Sequence, residues 1–144
     1  MATLGDLLAT KGHEVIAVQP SDTVLQAANL MNDRNIGGVV VLDGDRLAGI
    51  FTERDVLRRV VAQALDPSDT TVAEVMTTPV ITCPPDLTLE DCAGIMTTRG
   101  VRHLPVQEGR ELTGVVTIRD LLAYKVSEQQ ATLDQMTHYL YDLR

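Results

Sequence analysis

Along the chain the apolar positions change period in a fixed order, and that order occurs twice. Val15-Ile16-Ala17-Val18 is a short extended run stopped at Pro20, and Val80-Ile81-Thr82-Cys83 is its counterpart, stopped at Pro84. Helical spacing follows, with Val24, Ala27, Ala28 and Met31 behind Thr23, a hydroxyl suited to cap the first N–H groups. Leu89, Cys92, Ala93 and Met96 repeat that spacing. Two more apolar runs, residues 38–42 and 47–51, flank Asp43-Gly44-Asp45-Arg46, which predicts a hairpin because glycine accepts positive φ. In the second copy residues 104–106 and 112–116 flank Glu108-Gly109-Arg110, and Pro105 is expected to forgo a ladder bond. A second helix is predicted to open at Thr52-Glu53-Arg54-Asp55 and again at Thr117-Ile118-Arg119-Asp120.

Shifting the chain by 65 positions aligns residues 20–57 with 85–122 without a gap, and 13 of the 38 pairs are identical. Chance would supply about two or three, so the chain carries a duplication of one βαββα unit. With a three-residue shift the correspondence resumes upstream, where Thr3-Leu-Gly-Asp-Leu-Leu8 matches Thr71-Val-Ala-Glu-Val-Met76, a short helical lead-in to each unit. One unit cannot cover both faces of its small sheet; two can pack about a pseudo-two-fold axis as one α/β (α+β) domain. The expected organisation is a first motif at 1–64, a linker at 65–70, a second motif at 71–126 and a C-terminal helical tail at 127–144. The tail has Leu133, Met136, Leu140 and Leu143 along one side.

A chain of 144 residues is long enough to bury about 70% of its unfolded surface. With aromatics at 3% and no Trp, the core is expected to be aliphatic. The net charge of −8 repels a phosphate backbone and argues against nucleic acid as a partner. No apolar run approaches the roughly 20 residues that span a bilayer, and the N-terminus does not read as a secretory signal, so the expectation is a cytoplasmic protein without a membrane partner. Cys83 and Cys92 lack the neighbours of a metal site and are expected to pack as small apolar groups, a redox pair being the alternative. Neither a nucleophile motif, a zinc-protease motif nor a phosphate-binding loop occurs, so no enzyme and no required cofactor is expected.

The βαββα order, Leu104-Pro105-Val106, and the recurring Gly49-Ile-Phe-Thr52-Glu-Arg-Asp55 and Gly114-Val-Val-Thr117-Ile-Arg-Asp120 together resemble the CBS domain, here as a tandem pair over nearly the whole chain. The resemblance implies an adenine-nucleotide ligand (AMP, ATP or NAD) in clefts between the motifs, and a homodimer of pairs that signals to a regulated protein. Thr-x-x-Asp has two readings. As a capping box, its side chains satisfy orphan N–H groups at the helix start. As a binding turn, Asp55 and Asp120 accept hydrogen bonds from ribose hydroxyls, with Thr52 and Thr117 at the sugar-phosphate, and this is the role the family implies.

Phosphate requires donors. Family members implicate the positions of Arg102 and His103, where the first copy has Gly37 and Gly38, glycines that either admit a ligand close to the backbone or shape the strand start. Arg54 and Arg119 suit phosphate as well as they suit solvent. Val15, Ile16 and Ala17, and likewise Val80, Ile81 and Thr82, resemble the family's base-binding segment, Thr82 offering a hydroxyl where Ala17 has none. A CBS pair with empty clefts, acting as a structural or interaction module, is the competing function.

Overall fold

The computed structural model describes the backbone over residues 1–142 and side chains over residues 1–136. In order, the elements are α1 (Leu4–Lys11), β1 (Ala17–Val18), α2 (Val24–Arg34), β2 (Gly38–Asp43), β3 (Arg46–Thr52), α3 (Glu53–Asp55) running on into a π-helical stretch (Val56–Val61), α4 (Val72–Val75), α5 (Leu89–Arg99), β4 (His103–Glu108), β5 (Glu111–Thr117) and α6 (Ile118–Asp142). This is the mixed α/β architecture expected of two βαββα units. Both hairpins are antiparallel, with Gly44 and Gly109 at φ +64° and +63° in their turns.

The helix starts follow from local chemistry. Thr3, Thr23 and Thr52 each cap a helix reciprocally with the residue three positions on, while Thr88 accepts from the Asp91 N–H. Glycine or asparagine in the left-handed region closes α5 at Gly100 and α2 at Asn35.

One expectation is altered. The first strand of each unit is shorter than its apolar run: β1 pairs with β2 only at Ala17–Val40 and Val18–Val41, and in the second unit a single bridge, Cys83 to Val106, remains. Pro105 supplies the reason. Its counterpart Val40 donates its N–H to the Ile16 carbonyl at 3.3 Å, and proline has no N–H to give Ile81. The tail is helical as expected. Nothing between Ile118 and Asp142 is Gly or Pro, so α6 continues through it for 25 residues. Leu133 and Met136 are exposed on it, whereas the side chain of Leu140 and all of Leu143 lie outside the described residues.

The lead-in helices are exchanged. Leu4, Leu7 and Leu8 of α1 are buried in the core of the second unit with Cys83, Cys92, Met96, Leu104, Val106 and Val116. Val72 and Val75 of α4 are buried in the core of the first unit with Val24, Ala27, Met31, Val39, Val41 and Phe51. Backbone bonds repeat across the pseudo-two-fold axis: Leu4 N–H to Leu87 O at 2.9 Å and Gly5 N–H to Pro85 O at 2.8 Å match Val72 N–H to Asp22 O at 2.8 Å and Ala73 N–H to Pro20 O at 3.0 Å. The repeated strand glycines receive these helices. A Cβ on Gly114 would stand 2.7 Å from Leu8 Cδ2, and one on Gly49 would stand 2.5 Å from Met76 Sδ.

Both cysteines are buried and unbonded to each other. Burial, reinforced by Cys83, pushes the Cys92 thiol up to about 11, and burial raises Cys83 as well. Thiols so suppressed as thiolates pack as apolar groups.

Candidate functional site

A cleft of about 790 Å³ opens between the units, within the size range of small-molecule sites. Its apolar wall comes from the first unit: Ile16 beside β1, Ala28 and Met31 on α2, Val39 and Val40 on β2, and Val56, Leu57 and Val61 on the π-helical stretch. Its polar wall comes from the second unit, where Arg102 and His103 stand at the start of β4, Thr117 ends β5, and Arg119 and Asp120 open α6. Gly37, Gly38 and Glu53 lie where the walls meet, and Lys11 reaches in from the end of α1.

The Thr117–Asp120 turn is a capping box: the Thr117 N–H donates to Asp120 Oδ2 at 2.9 Å and the Asp120 N–H to Thr117 Oγ1 at 3.1 Å. Capping and ligand binding are compatible there, because the cap uses one carboxylate oxygen. The Lys11 ammonium also donates to Oδ2, and to the Val115 carbonyl. Oδ1 is left without a hydrogen-bond partner among the described residues, and the side chain is 21% exposed. The side chains of Arg102 and Arg119 form no hydrogen bond or ion pair to a described residue, so two guanidinium groups face the cleft uncommitted.

His103 packs on glycine. A Cβ on Gly38 would meet the imidazole at 3.1 Å and the Thr52 methyl at 3.1 Å, so these two repeat-equivalent positions, Gly38 and His103, touch face to face. Burial pushes the imidazole below the usual histidine range, against the upward pull of Glu53. Burial thus favours the neutral ring, and an anion bound beside it would favour its protonation.

Of the residues singled out from sequence, Asp120, Thr117, Arg119, Arg102, His103, Gly37, Gly38 and Ile16 line this one cleft. Of the first-copy turn Glu53 lines it, while Thr52, Arg54 and Asp55 do not. Asp55 is buried, its carboxylate taken by Thr52, Thr77 and Arg59, and Arg54 donates to the Gly100 carbonyl at 3.0 Å, closing the end of α5. Val15 and Ala17 are half-buried beside Ile16 without lining the cleft; Val80 and Ile81 are half-buried in the matching segment, and Thr82 is exposed. Lys11, Glu53 and the Leu57–Val61 wall are cleft residues the sequence did not announce. Lys11 arrives only through the exchange of α1, which no linear pattern signals.

Among the described residues no helix is long and apolar enough to cross a membrane. The CBS domain family model matches residues 4–62 and again residues 72–127. The CBS domain-containing protein YhcV of Bacillus subtilis is 34% identical over 131 residues, 91% of each chain. A candidate signal-transduction protein with CBS domains from Burkholderia ambifaria superposes with a TM-score of 0.85 at 37% identity, over 89% of this chain and 96% of that one. The hexameric CBS-CP12 protein of bloom-forming cyanobacteria superposes at 0.75 with 27% identity, over 85% and 70%. With the duplication, the fold and two family matches in agreement, the chain belongs to the CBS-domain family as a tandem pair.

Proposed function

We propose that the chain is a non-enzymatic regulatory sensor that binds an adenine nucleotide, AMP, ATP or NAD, in the Asp120 cleft. The observation that carries this reading is the meeting, in one cleft, of an apolar wall, a carboxylate with an oxygen to spare, and two uncommitted guanidinium groups. An adenine ring suits the Ile16–Met31–Leu57 wall, ribose hydroxyls suit Asp120 Oδ1, and phosphate suits Arg102, Arg119 and a protonated His103. A panel of AMP, ADP, ATP, NAD and GTP in a thermal-shift assay tests it. A nucleotide at 100 times its Kd stabilises the fold by about 2.7 kcal/mol, which raises Tm by roughly 5–10 °C in a domain of this size. Adenine compounds should give that shift, and Asp120→Asn should reduce it by half or more. No shift at millimolar concentration would establish instead a structural or interaction module with empty clefts.

The sensor would signal through self-association or through a regulated protein. Leu57 and Val61 on the first unit, and Leu122 and Val126 at the repeat-equivalent positions of α6, are 61%, 63%, 59% and 62% exposed. Each pair is spaced i, i+4, so the two units present equivalent apolar stripes, of the kind an isologous interface repeats. A second copy matches such a surface, and the hexameric state of one structural relative supports association. Leu122 lies outside the cleft lining, so Leu122→Glu should convert a dimer to monomer in sedimentation velocity without loss of ligand response. An unchanged sedimentation coefficient would place the interface elsewhere.

A further inference from the structure

The two Thr-x-x-Asp turns are equivalent in sequence and unequal in chemistry. Asp55 is 6% exposed, and both of its carboxylate oxygens are occupied. Oδ2 accepts from the Thr52 N–H at 3.0 Å and the Thr52 hydroxyl at 3.3 Å. Oδ1 accepts from the Thr77 hydroxyl at 3.0 Å and stands 3.6 Å from Arg59 Nε. Arg59 in turn donates to the Met76 carbonyl at 2.9 Å, and Thr77 exchanges backbone bonds with Ile50 at 2.8 and 3.0 Å. Asp55 thus joins three segments: the start of α3, the π-helical stretch and the chain leaving α4.

The second copy keeps the cap from the Thr117 N–H but has no counterpart of the Arg59 and Thr77 fasteners. By the 65-residue offset Arg59 corresponds to Tyr124, which makes no hydrogen bond to Asp120, and by the lead-in offset Thr77 corresponds to Ala9, which has no polar side chain. Asp120 keeps Oδ1 open and has Lys11 where the first unit's lead-in has Pro79. The donors follow the same division. Arg102 and His103 face the Asp120 cleft, and their counterparts Gly37 and Gly38 carry no side chain.

We infer that the chain binds one nucleotide per polypeptide, at Asp120, and that Asp55 is a structural fastener rather than a second ribose ligand. This rests on the nucleotide-sensor reading above. A sugar approaching Asp55 would have to displace a hydroxyl and leave the Arg59 guanidinium without its carboxylate, whereas at Asp120 it needs only to share a carboxylate whose second oxygen is open. Lys11 is the one partner to be rearranged there, and its flexible ammonium can turn to a phosphate.

Isothermal titration with AMP, ATP and NAD, each against wild type, Asp55→Asn and Asp120→Asn, tests the inference, with Tm recorded for every variant. The expected stoichiometry is one per chain for wild type. Asp55→Asn should keep that stoichiometry with Kd within about threefold while lowering Tm, and Asp120→Asn should weaken binding at least tenfold with a smaller change in Tm. Thr77→Ala, which spares the carboxylate, substitutes should Asp55→Asn not fold, and is expected to lower Tm with binding intact. Two nucleotides per chain, or binding lost through Asp55 and retained without Asp120, would overturn the one-site assignment while leaving the sensor reading standing. A wild type that binds none of the three overturns the sensor reading and the site together, and the Tm order of the two variants then reports on the fastener alone.

Discussion

Phe51→Ala should lower stability by about 3–5 kcal/mol and Tm by roughly 6–20 °C, measured by urea and thermal unfolding followed by far-UV circular dichroism. Phe51 is fully buried in β3 and is the sole phenylalanine of the chain. Its counterpart in β5 is Val116, equally buried, so the same strand position carries a ring in one unit and two methyl groups in the other. The lead-in exchange explains the inequality. The second core receives Leu4, Leu7 and Leu8 from the α1 lead-in, while the first receives the smaller Val72 and Val75, with Met76 in the place of Leu8. Phe51 fills what those valines leave, because interiors close to crystal-like density. Phe51→Val should therefore cost less than Phe51→Ala, and Val75→Leu added to Phe51→Val should recover part of the loss. A Phe51→Ala protein as stable as wild type would refute this account of the packing.

Leu8→Ala should cost about 2–5 kcal/mol, and the unit that suffers is the distant one in sequence. Leu8 is 1% exposed and packs on Gly114, more than a hundred positions along the chain. Native-state hydrogen exchange should show lost protection in β4 and β5 before β2 and β3, since local opening follows the contacts removed. Gly114→Ala alone should also destabilise, by about 1–3 kcal/mol, because the new methyl group and Leu8 compete for one space. In the Leu8→Ala background the same change should cost less, giving a coupling of about 1 kcal/mol in a double-mutant cycle. Additivity within error, or protection lost first in β2 and β3, would mean that α1 serves its own unit.

These two experiments probe a feature that sequence patterning concealed. Thr3–Leu8 and Thr71–Met76 are recognisable as matched lead-ins, yet the linear order suggests that each packs on the unit it precedes. The three-dimensional arrangement assigns each to the other unit, through Leu8 on Gly114 and Met76 on Gly49. The same exchange carries Lys11 to Asp120 and Thr77 to Asp55, so it also distinguishes the two sites.

What local chemistry governs was legible in advance. Thr-x-x-Asp folds into a reciprocal cap because the partners lie one turn apart, and Gly44 and Gly109 turn hairpins because their own φ angles demand it. The duplication, with its alternation of periods, then implies two units about an axis, since one unit alone leaves a sheet face bare. Whether a capping carboxylate is also open to a ligand depends on atoms supplied from elsewhere in the chain: Arg59 and Thr77 close the one, while Lys11 leaves an oxygen of the other free. The Thr77 and Lys11 contacts join residues 22 and 109 positions apart, where spacing carries no signal and only packing determines who meets whom, whereas Arg59 stands one helical turn from Asp55.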